Sequence, residues 1–220
     1  MATVLQNRDV VLNNNGLKRQ VALGAIYSIV TGKNDRTLMG DTNYLFRKEM
    51  MGIFEGLWGV PRPKSSLLKQ LFSKRGQHVP MLNLLSWFQE QGHRVDDFSP
   101  EALAWDVARY VDVIRDAFYV GYITQETALE HLRFAHNMSR GYFRSWEDYA
   151  DRFVAYKAWW DERNLRELKD HMESINGKVY MPDELYERYL AQGMTPIAEI
   201  KKAVDYLLTD RNSIWNQVAW

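Results

Sequence analysis

Apolar residues recur at the helical period along nearly the whole sequence. Segment 103–118 shows the pattern most clearly, because its apolar positions fall within about 80° of one another on a helical wheel. These positions are Leu103, Val107, Val111, Ile114 and Phe118. The alternation typical of strands is confined to brief candidates such as residues 8–12 and 177–181. The period therefore predicts an all-α protein.

Candidate helix-capping residues lie at the starts of several periodic segments. Ser99 precedes Pro100, an order typical of an N-cap and the first helical position. Thr124 is a second candidate N-cap, and Ser145 with Asp148 resembles a capping box. These signals predict a compact multi-helix domain of about eight or nine helices. We place the helices near residues 17–30, 43–57, 65–74, 80–91, 100–120, 124–138, 146–175, 182–191 and 196–209.

One connection is a candidate boundary within the chain. Residues 92–100 contain a glycine, two aspartates and a serine–proline pair, all of which favour loop structure. We therefore divide the chain into an N-terminal helical half, residues 1–97, and a C-terminal helical half, residues 98–220. A chain of 220 residues is short enough for the two halves to pack together as one structural domain.

Composition limits the partners and the compartment. Twenty-eight basic residues balance 28 acidic ones, so no net charge recruits nucleic acid or anionic lipid. The absence of cysteine excludes disulfides, thiol nucleophiles and cysteine-ligated zinc, and it fits a reducing compartment. The apolar run at residues 21–30 is too short to span a bilayer and predicts a buried helix. We expect a cytoplasmic protein that binds neither nucleic acid nor membrane.

The strongest pattern in the chain is an aromatic stripe. Its members are Trp146, Tyr149, Phe153, Tyr156 and Trp160, which step by three and four residues as on one helix face. Such a stripe can stack on bases or on a flat cofactor, but the acidic residues interleaved with it disfavour a phosphate-tracking surface. Because buried rings remove large apolar areas from water, we predict that the stripe belongs to the core and binds no cofactor.

Patterns that carry catalysis or bind metals are missing from the sequence. His131 and His136 are five positions apart, so they cannot share a helix face. His93 lies near two aspartates in a predicted loop that does not fix their geometry. Neither a dinucleotide-binding glycine motif nor a serine nucleophile elbow is present. We therefore predict no metal, no cofactor and no catalytic residue.

Trp105 poses a question, because it lies about 160° from Val107 on the helical wheel and shares its side with charged residues. Asp106 and Arg109 are spaced to pair, and Arg109 is also placed for a cation–π contact with Trp105. In a structural interpretation, the aliphatic stripe packs on the C-terminal helices and Trp105 packs on the N-terminal half. In a functional interpretation, a cleft between the halves binds a ligand or partner. The candidate residues of that cleft are His93, Trp105, Asp106, Arg109 and Tyr122.

Several motifs resemble those of a known family. They are Ala104-Trp105-Asp106-x-x-Arg109, Gly121-Tyr122-Ile123, Ser145-Trp146-Glu147 and Trp160, preceded by similar segments at 57–60 and 84–94. Over residues 57–160 the chain thus resembles a bacterial family catalogued as domain of unknown function 1266. The chain departs from the family pattern at 127–129, and at Tyr156, where we expect glycine. The resemblance implies a bacterial protein and supplies no activity.

Two classes of function fit these observations. The first is a non-enzymatic protein that binds another protein, such as one that it neutralises or a component of chaperone machinery. The alternative is a small-molecule enzyme or ligand sensor that uses the cleft around Trp105, Asp106 and Arg109. A deep enclosed pocket at these residues would favour the alternative, and a flat aromatic surface elsewhere would favour the binding protein. The sequence predicts no oligomeric state.

Overall fold

Helices make up most of the described chain. The computed structural model describes residues 15–35, 37–38, 44–63, 78–93, 99–176 and 197–220, with only the backbone described at 44–46, 91–93 and 164–176. The helices are α1 (Asn15–Ala22), α2 (Ala25–Val30), α3 (Tyr44–Trp58), α4 (Val79–His93), α5 (Pro100–Val120), α6 (Gln125–Tyr142), α7 (Trp146–Asn176), α8 (Ile197–Thr209) and α9 (Ile214–Gln217). None of the described residues lies in a β-strand. The predicted all-α class is confirmed.

The prediction of a single helix over residues 17–30 is wrong. This segment forms two helices, α1 and α2, which are separated by a break at Leu23 and Gly24. A Cβ atom on Gly24 would lie only 2.7 Å from Cγ1 of Val111, so α5 approaches the backbone at the break. Only glycine permits this approach without a shift of the neighbouring chain. The predicted helices at 65–74 and 182–191, and the strand candidates at 8–12 and 177–181, lie outside the described residues.

The predicted caps fix the starts of the three longest helices. Ser99, Thr124 and Ser145 each accept a hydrogen bond from the backbone N–H three positions later, at 3.3, 3.3 and 3.2 Å. These bonds satisfy N–H groups that a helix start leaves unpaired. The carboxylate of Asp148 accepts from the backbone N–H of Arg144, one residue before the position that a capping box uses.

Helix α5 is the centre of the fold. It packs against α2, α3 and α4, which precede it in the sequence, and against α6 and α7, which follow it. One continuous hydrophobic core contains residues from α1 through α9. The boundary predicted at residues 97 and 98 falls in the segment 94–98, which is not among the described residues, so the division into halves stays a prediction.

The aromatic stripe lies on the inner face of α7. Trp146, Tyr149 and Phe153 are buried, which confirms the prediction that they belong to the core. Tyr156 and Trp160 are partly buried and pack at the edge of the same core. The stripe therefore runs from the centre of the protein toward its surface.

Side-chain hydrogen bonds join segments that are distant in sequence near the break between α1 and α2. The hydroxyl of Tyr149 donates to the carbonyl of Leu23 at 2.7 Å, and the indole N–H of Trp215 donates to the carbonyl of Ala22 at 2.8 Å. These bonds satisfy carbonyl groups that a helix end leaves unpaired. They tie α1 to both α7 and α9.

Membrane crossing requires a long and apolar helix. No helix among the described residues meets both requirements.

Candidate functional site

Trp105 is buried against α7, with 7% of its surface exposed. Its ring centroid lies 5.2 Å from that of Tyr156 and 5.0 Å from that of Trp160. The prediction that Trp105 packs on the N-terminal half is thus incomplete, because its ring contacts the edge of the aromatic stripe while its side chain also meets Tyr27 of the N-terminal half. The aliphatic stripe also reaches the N-terminal half, where Val111 meets Gly24. Tyr156, where the family resemblance led us to expect glycine, fills space beside the Trp105 indole.

Arg109 connects Trp105 to the N-terminal half. Its guanidinium carbon lies 4.4 Å from the centroid of Trp105 and 4.9 Å from that of Trp58, the last residue of α3. Its Nη1 atom donates to Oδ1 of Asp106 at 3.2 Å. The side chains of Arg109 and Asp106 are 25% and 29% exposed, so this ion pair is partly buried. A cation between two indoles stabilises both ring positions.

A continuous series of ring contacts extends from this cation to α4. The centroids of Trp58 and Phe88 are 5.6 Å apart, and those of Phe88 and Trp87 are 5.0 Å apart. We use the name aromatic belt for Trp87, Phe88, Trp58, Arg109, Trp105, Trp160 and Tyr156. The aromatic belt links α4, α3, α5 and α7, and Trp87 at its α4 end is 44% exposed.

Polar groups are enclosed beside Trp105. Burial raises the pKa of Asp106, and the charge of Arg109 partly opposes this effect. Burial also raises the pKa of Tyr27 well above its usual range, although Arg109 favours the ionised form. The side chain of Trp105 interacts with that of Tyr27 and favours its ionised form, although the indole N–H makes no hydrogen bond of ordinary geometry with the described residues. The group can therefore orient a planar or polar ligand, with Asp106 as an acceptor and Arg109 as a donor.

The structure brings together three of the five predicted site residues. Tyr122 follows the C-terminus of α5, and about 22 Å of helix separates Trp105 from Val120. The Tyr122 ring instead packs against His78, with centroids 4.5 Å apart. The side chain of His93, at the end of α4, is outside the described part of the structure. Trp105, Asp106 and Arg109 thus form one cluster, which Tyr122 does not join.

The histidines give no sign of a metal site within the described segments. No group of three or more histidine, aspartate or glutamate side chains in these segments is arranged to hold a metal ion. His131 Nδ1 lies 2.5 Å from the hydroxyl oxygen of Tyr110, and the two groups share a hydrogen bond. Burial lowers the pKa of His131, so this histidine is neutral at pH 7.

Sequence reasoning missed a buried charged cluster on the middle of α5. Lys33 Nζ donates to Oδ1 of Asp112 at 2.9 Å and to Oδ2 of Asp116 at 2.8 Å. Arg115, which is 1% exposed, donates to the hydroxyl of Ser28 and to the carbonyls of Asn34 and Thr37. The spacing of acidic residues on α5 was visible in the sequence, but Lys33 is 79 positions from Asp112. The cluster fixes Ser28, Lys33, Asn34 and Thr37 against α5.

The pH dependence of stability tests the charge state of this cluster. Burial and the nearby Asp112 raise the pKa of Asp116 from 3.8 to about 7, against the influence of Lys33 and Arg115. The folded state therefore binds more protons than the unfolded state between these two pKa values, so the contribution of Asp116 to stability decreases as pH rises toward 7.

We expect the unfolding free energy of the Asp116→Asn variant to lack this pH-dependent contribution. Between about pH 5 and pH 8, the wild type should lose at least about 1 kcal/mol of unfolding free energy relative to the variant. Urea denaturation at each pH measures the difference, and parallel pH profiles of the two proteins would contradict the prediction.

Helices packed around one long central helix, with the aromatic belt at their junction, define a compact all-helical protein. The chain belongs to the family described as protein of unknown function (DUF1266), whose model matches residues 62–220. The match confirms the suspected family, extends beyond residue 160 and leaves out the similar segment at 57–60. Comparison with curated proteins and with solved structures gives no match. A bacterial origin and a cytoplasmic location stay predictions.

Proposed function

We propose that this protein acts by binding another protein through an exposed apolar surface on α3 and α4. The observation that carries the proposal is the position of the exposed large apolar side chains. Among the described residues there are six such side chains, and four of them belong to these two helices. They are Ile53 (44% exposed), Leu57 (72%), Val79 (62%) and Trp87 (44%), which we call the α3–α4 surface. Concentrated apolar exposure of this kind is typical of protein-binding sites.

The inner members of the aromatic belt support the α3–α4 surface, to which Trp87 itself belongs, from below. Trp58 and Phe88 lie on the inner sides of α3 and α4, and the guanidinium of Arg109 packs on Trp58. Leu57 and Trp87 are their neighbours in sequence and point outward. A surface whose backbone is held in place loses little conformational entropy on binding, which favours affinity. In this proposal Trp105, Asp106 and Arg109 form the structural joint behind the surface.

Affinity capture from a native lysate, followed by mass spectrometry of the retained proteins, tests the proposal. We expect the wild-type chain to retain a specific protein, and the Trp87→Ala and Leu57→Ser variants to lose it, because large apolar anchors dominate binding energy. The matched control is Tyr142→Ala, which removes a ring that is 42% exposed on α6. All four proteins should have similar melting temperatures. A captured protein that binds every variant equally would contradict the proposal.

A small-molecule function is the second candidate, and the partly buried Asp106–Arg109 pair favours it. A polar ligand bound to this pair would also lie near the Trp105 ring. Mass spectrometry of small molecules retained in the same capture tests this candidate. It requires a ligand that is lost from the Asp106→Asn variant but retained by the Trp87→Ala variant. The identity of a protein partner, whether a protein that is neutralised or a chaperone component, is a separate outcome of the experiment.

A further inference from the structure

A small pocket lies between α1, α6 and the start of α7, away from the residues of the α3–α4 surface. Its polar lining consists of Arg19 on α1 and of His136, Ser139 and Arg140 on α6. His136 and Arg140 are four positions apart, so they share one face of α6. The packing of α1 against α6 brings Arg19 to the same pocket. Two guanidinium groups and an imidazole thus surround one space.

The indole walls of the pocket are held in place by hydrogen bonds. The rings of Trp146 and Trp220 meet edge to face, with centroids 4.6 Å apart. Each indole N–H donates to a backbone carbonyl, at 3.0 Å for Trp146 and 2.8 Å for Trp220. The hydroxyl of Ser139 donates to the carbonyl of Ala135 at 2.7 Å. Because these donors are occupied, a polar ligand in the pocket would bind to the arginines and the histidine.

The described lining of the pocket carries positive charge and contains no aspartate or glutamate that would balance it. Burial lowers the pKa of His136, and a hydrogen bond with Asn137 opposes this effect. The charges of Arg140 and Arg19 also lower this pKa, so the imidazole is neutral at pH 7. The Nε atom of Arg19 is buried and makes no hydrogen bond with the described residues. The two guanidinium charges therefore favour an anion in this space.

We propose that the pocket binds a phosphoryl group, with Arg19 and Arg140 as the charged donors and His136 as a third contact. A phosphoryl group carries about −1.5 to −2 charges at pH 7, which matches two guanidinium groups better than the single charge of a carboxylate does. Guanidinium groups also bind phosphoryl oxygens through paired hydrogen bonds. The pocket holds about 180 Å³ of empty space up to its opening, less than the roughly 300 Å³ or more of sites that enclose whole organic ligands. It therefore fits a phosphate ion or the phosphoryl end of a larger molecule.

Titration of inorganic phosphate into the whole chain at constant ionic strength, followed by NMR, tests the proposal. The signals to follow are those of the His136 imidazole and of the Trp146 and Trp220 indoles, which line the pocket. We expect them to shift together and to saturate. Saturating phosphate should also raise the pKa of His136, because a bound anion favours the imidazolium form.

Variants of the two arginines test the assignment of the contacts. Arg19→Gln and Arg140→Gln should each raise the phosphate dissociation constant about tenfold or more, because each removes a charged hydrogen-bond donor. The matched control is Lys48→Gln, which removes a positive charge from an exposed position on α3 and should leave phosphate binding unchanged. Trp87→Ala should also bind phosphate like the wild type, so this test is independent of the partner sought with that variant.

Other anions test the class of ligand. Acetate should bind about tenfold more weakly than phosphate or worse, because it carries a single charge. Phenyl phosphate distinguishes the two sources of a phosphoryl group: tighter binding than that of phosphate indicates an organic monoester, and weaker binding indicates the free ion. Wild-type signals that do not move with phosphate would overturn the proposal. So would acetate that binds as tightly as phosphate, or an equal loss of phosphate binding in Lys48→Gln and the arginine variants.

Discussion

The Phe153→Ala variant should lose about 3–5 kcal/mol of unfolding free energy, because removal of a buried aromatic ring leaves a cavity in the core. The Phe153 side chain is 0% exposed, and its ring packs edge-on against Tyr27 with centroids 5.7 Å apart. It lies where α7 meets the N-terminal helices, so the cavity cannot close without movement of whole helices. Chemical denaturation followed by far-ultraviolet circular dichroism measures the loss.

The matched control for Phe153 is Trp159, which lies on the same helix and is 47% exposed. At low protein concentration, Trp159→Ala should change the unfolding free energy by less than about 1 kcal/mol. If Phe153→Ala instead left stability intact and abolished capture of a partner, the assignment of the aromatic stripe to the core would be wrong.

The Arg115→Met variant should also be strongly destabilised, by about 3–5 kcal/mol, since it removes one charge from a buried cluster and leaves the others uncompensated. The methionine retains most of the volume, so the effect reports on charge and hydrogen bonding more than on packing. The carbonyl of Thr37 would lose a donor now 2.9 Å away, and Asp112 and Asp116, which hydrogen-bond Lys33, would lose the nearby charge of the guanidinium. Urea denaturation at neutral pH measures the change.

Arg152→Met provides the comparison for Arg115. Arg152 makes two ion pairs at 2.8 Å, with Asp148 and Glu101, but its side chain is 34% exposed. Solvent screens such pairs, so the expected loss is below about 1 kcal/mol. Equal losses of unfolding free energy in Arg115→Met and Arg152→Met would show that burial does not determine how much the cluster around Arg115 contributes to stability.

The helices could be predicted from sequence because their signals are local. The cap at Ser99 and the start of α7 after Ser145 depend on residues within one turn, and both are found where predicted. The break at Gly24 could not be predicted, because it depends on Val111, which is 87 positions away. Local glycine signals alone do not reveal which neighbour approaches the backbone.

In the candidate site as well, contacts within one helix could be predicted from sequence and contacts between helices could not. The spacing of Asp106 and Arg109 predicted their ion pair, and it predicted the contact of Arg109 with Trp105. The second indole on Arg109 comes from Trp58, whose position depends on how α3 packs against α5. Spacing along one helix carries no information about such a contact. For the same reason, the pairing of Lys33 with Asp112 could not be foreseen.

The hydrogen bond between Trp215 and Ala22 joins residues 193 positions apart. During synthesis on a ribosome, the acceptor is therefore made well before the donor. At about 5–20 residues per second, synthesis of the intervening segment takes about 10–40 s. During that interval the carbonyl of Ala22 lacks its native donor, and the apolar residues around Val21 lack part of their native cover. Helix α1 is therefore made long before the residue that completes its native environment. Chaperones that bind nascent apolar segments would have their longest opportunity there.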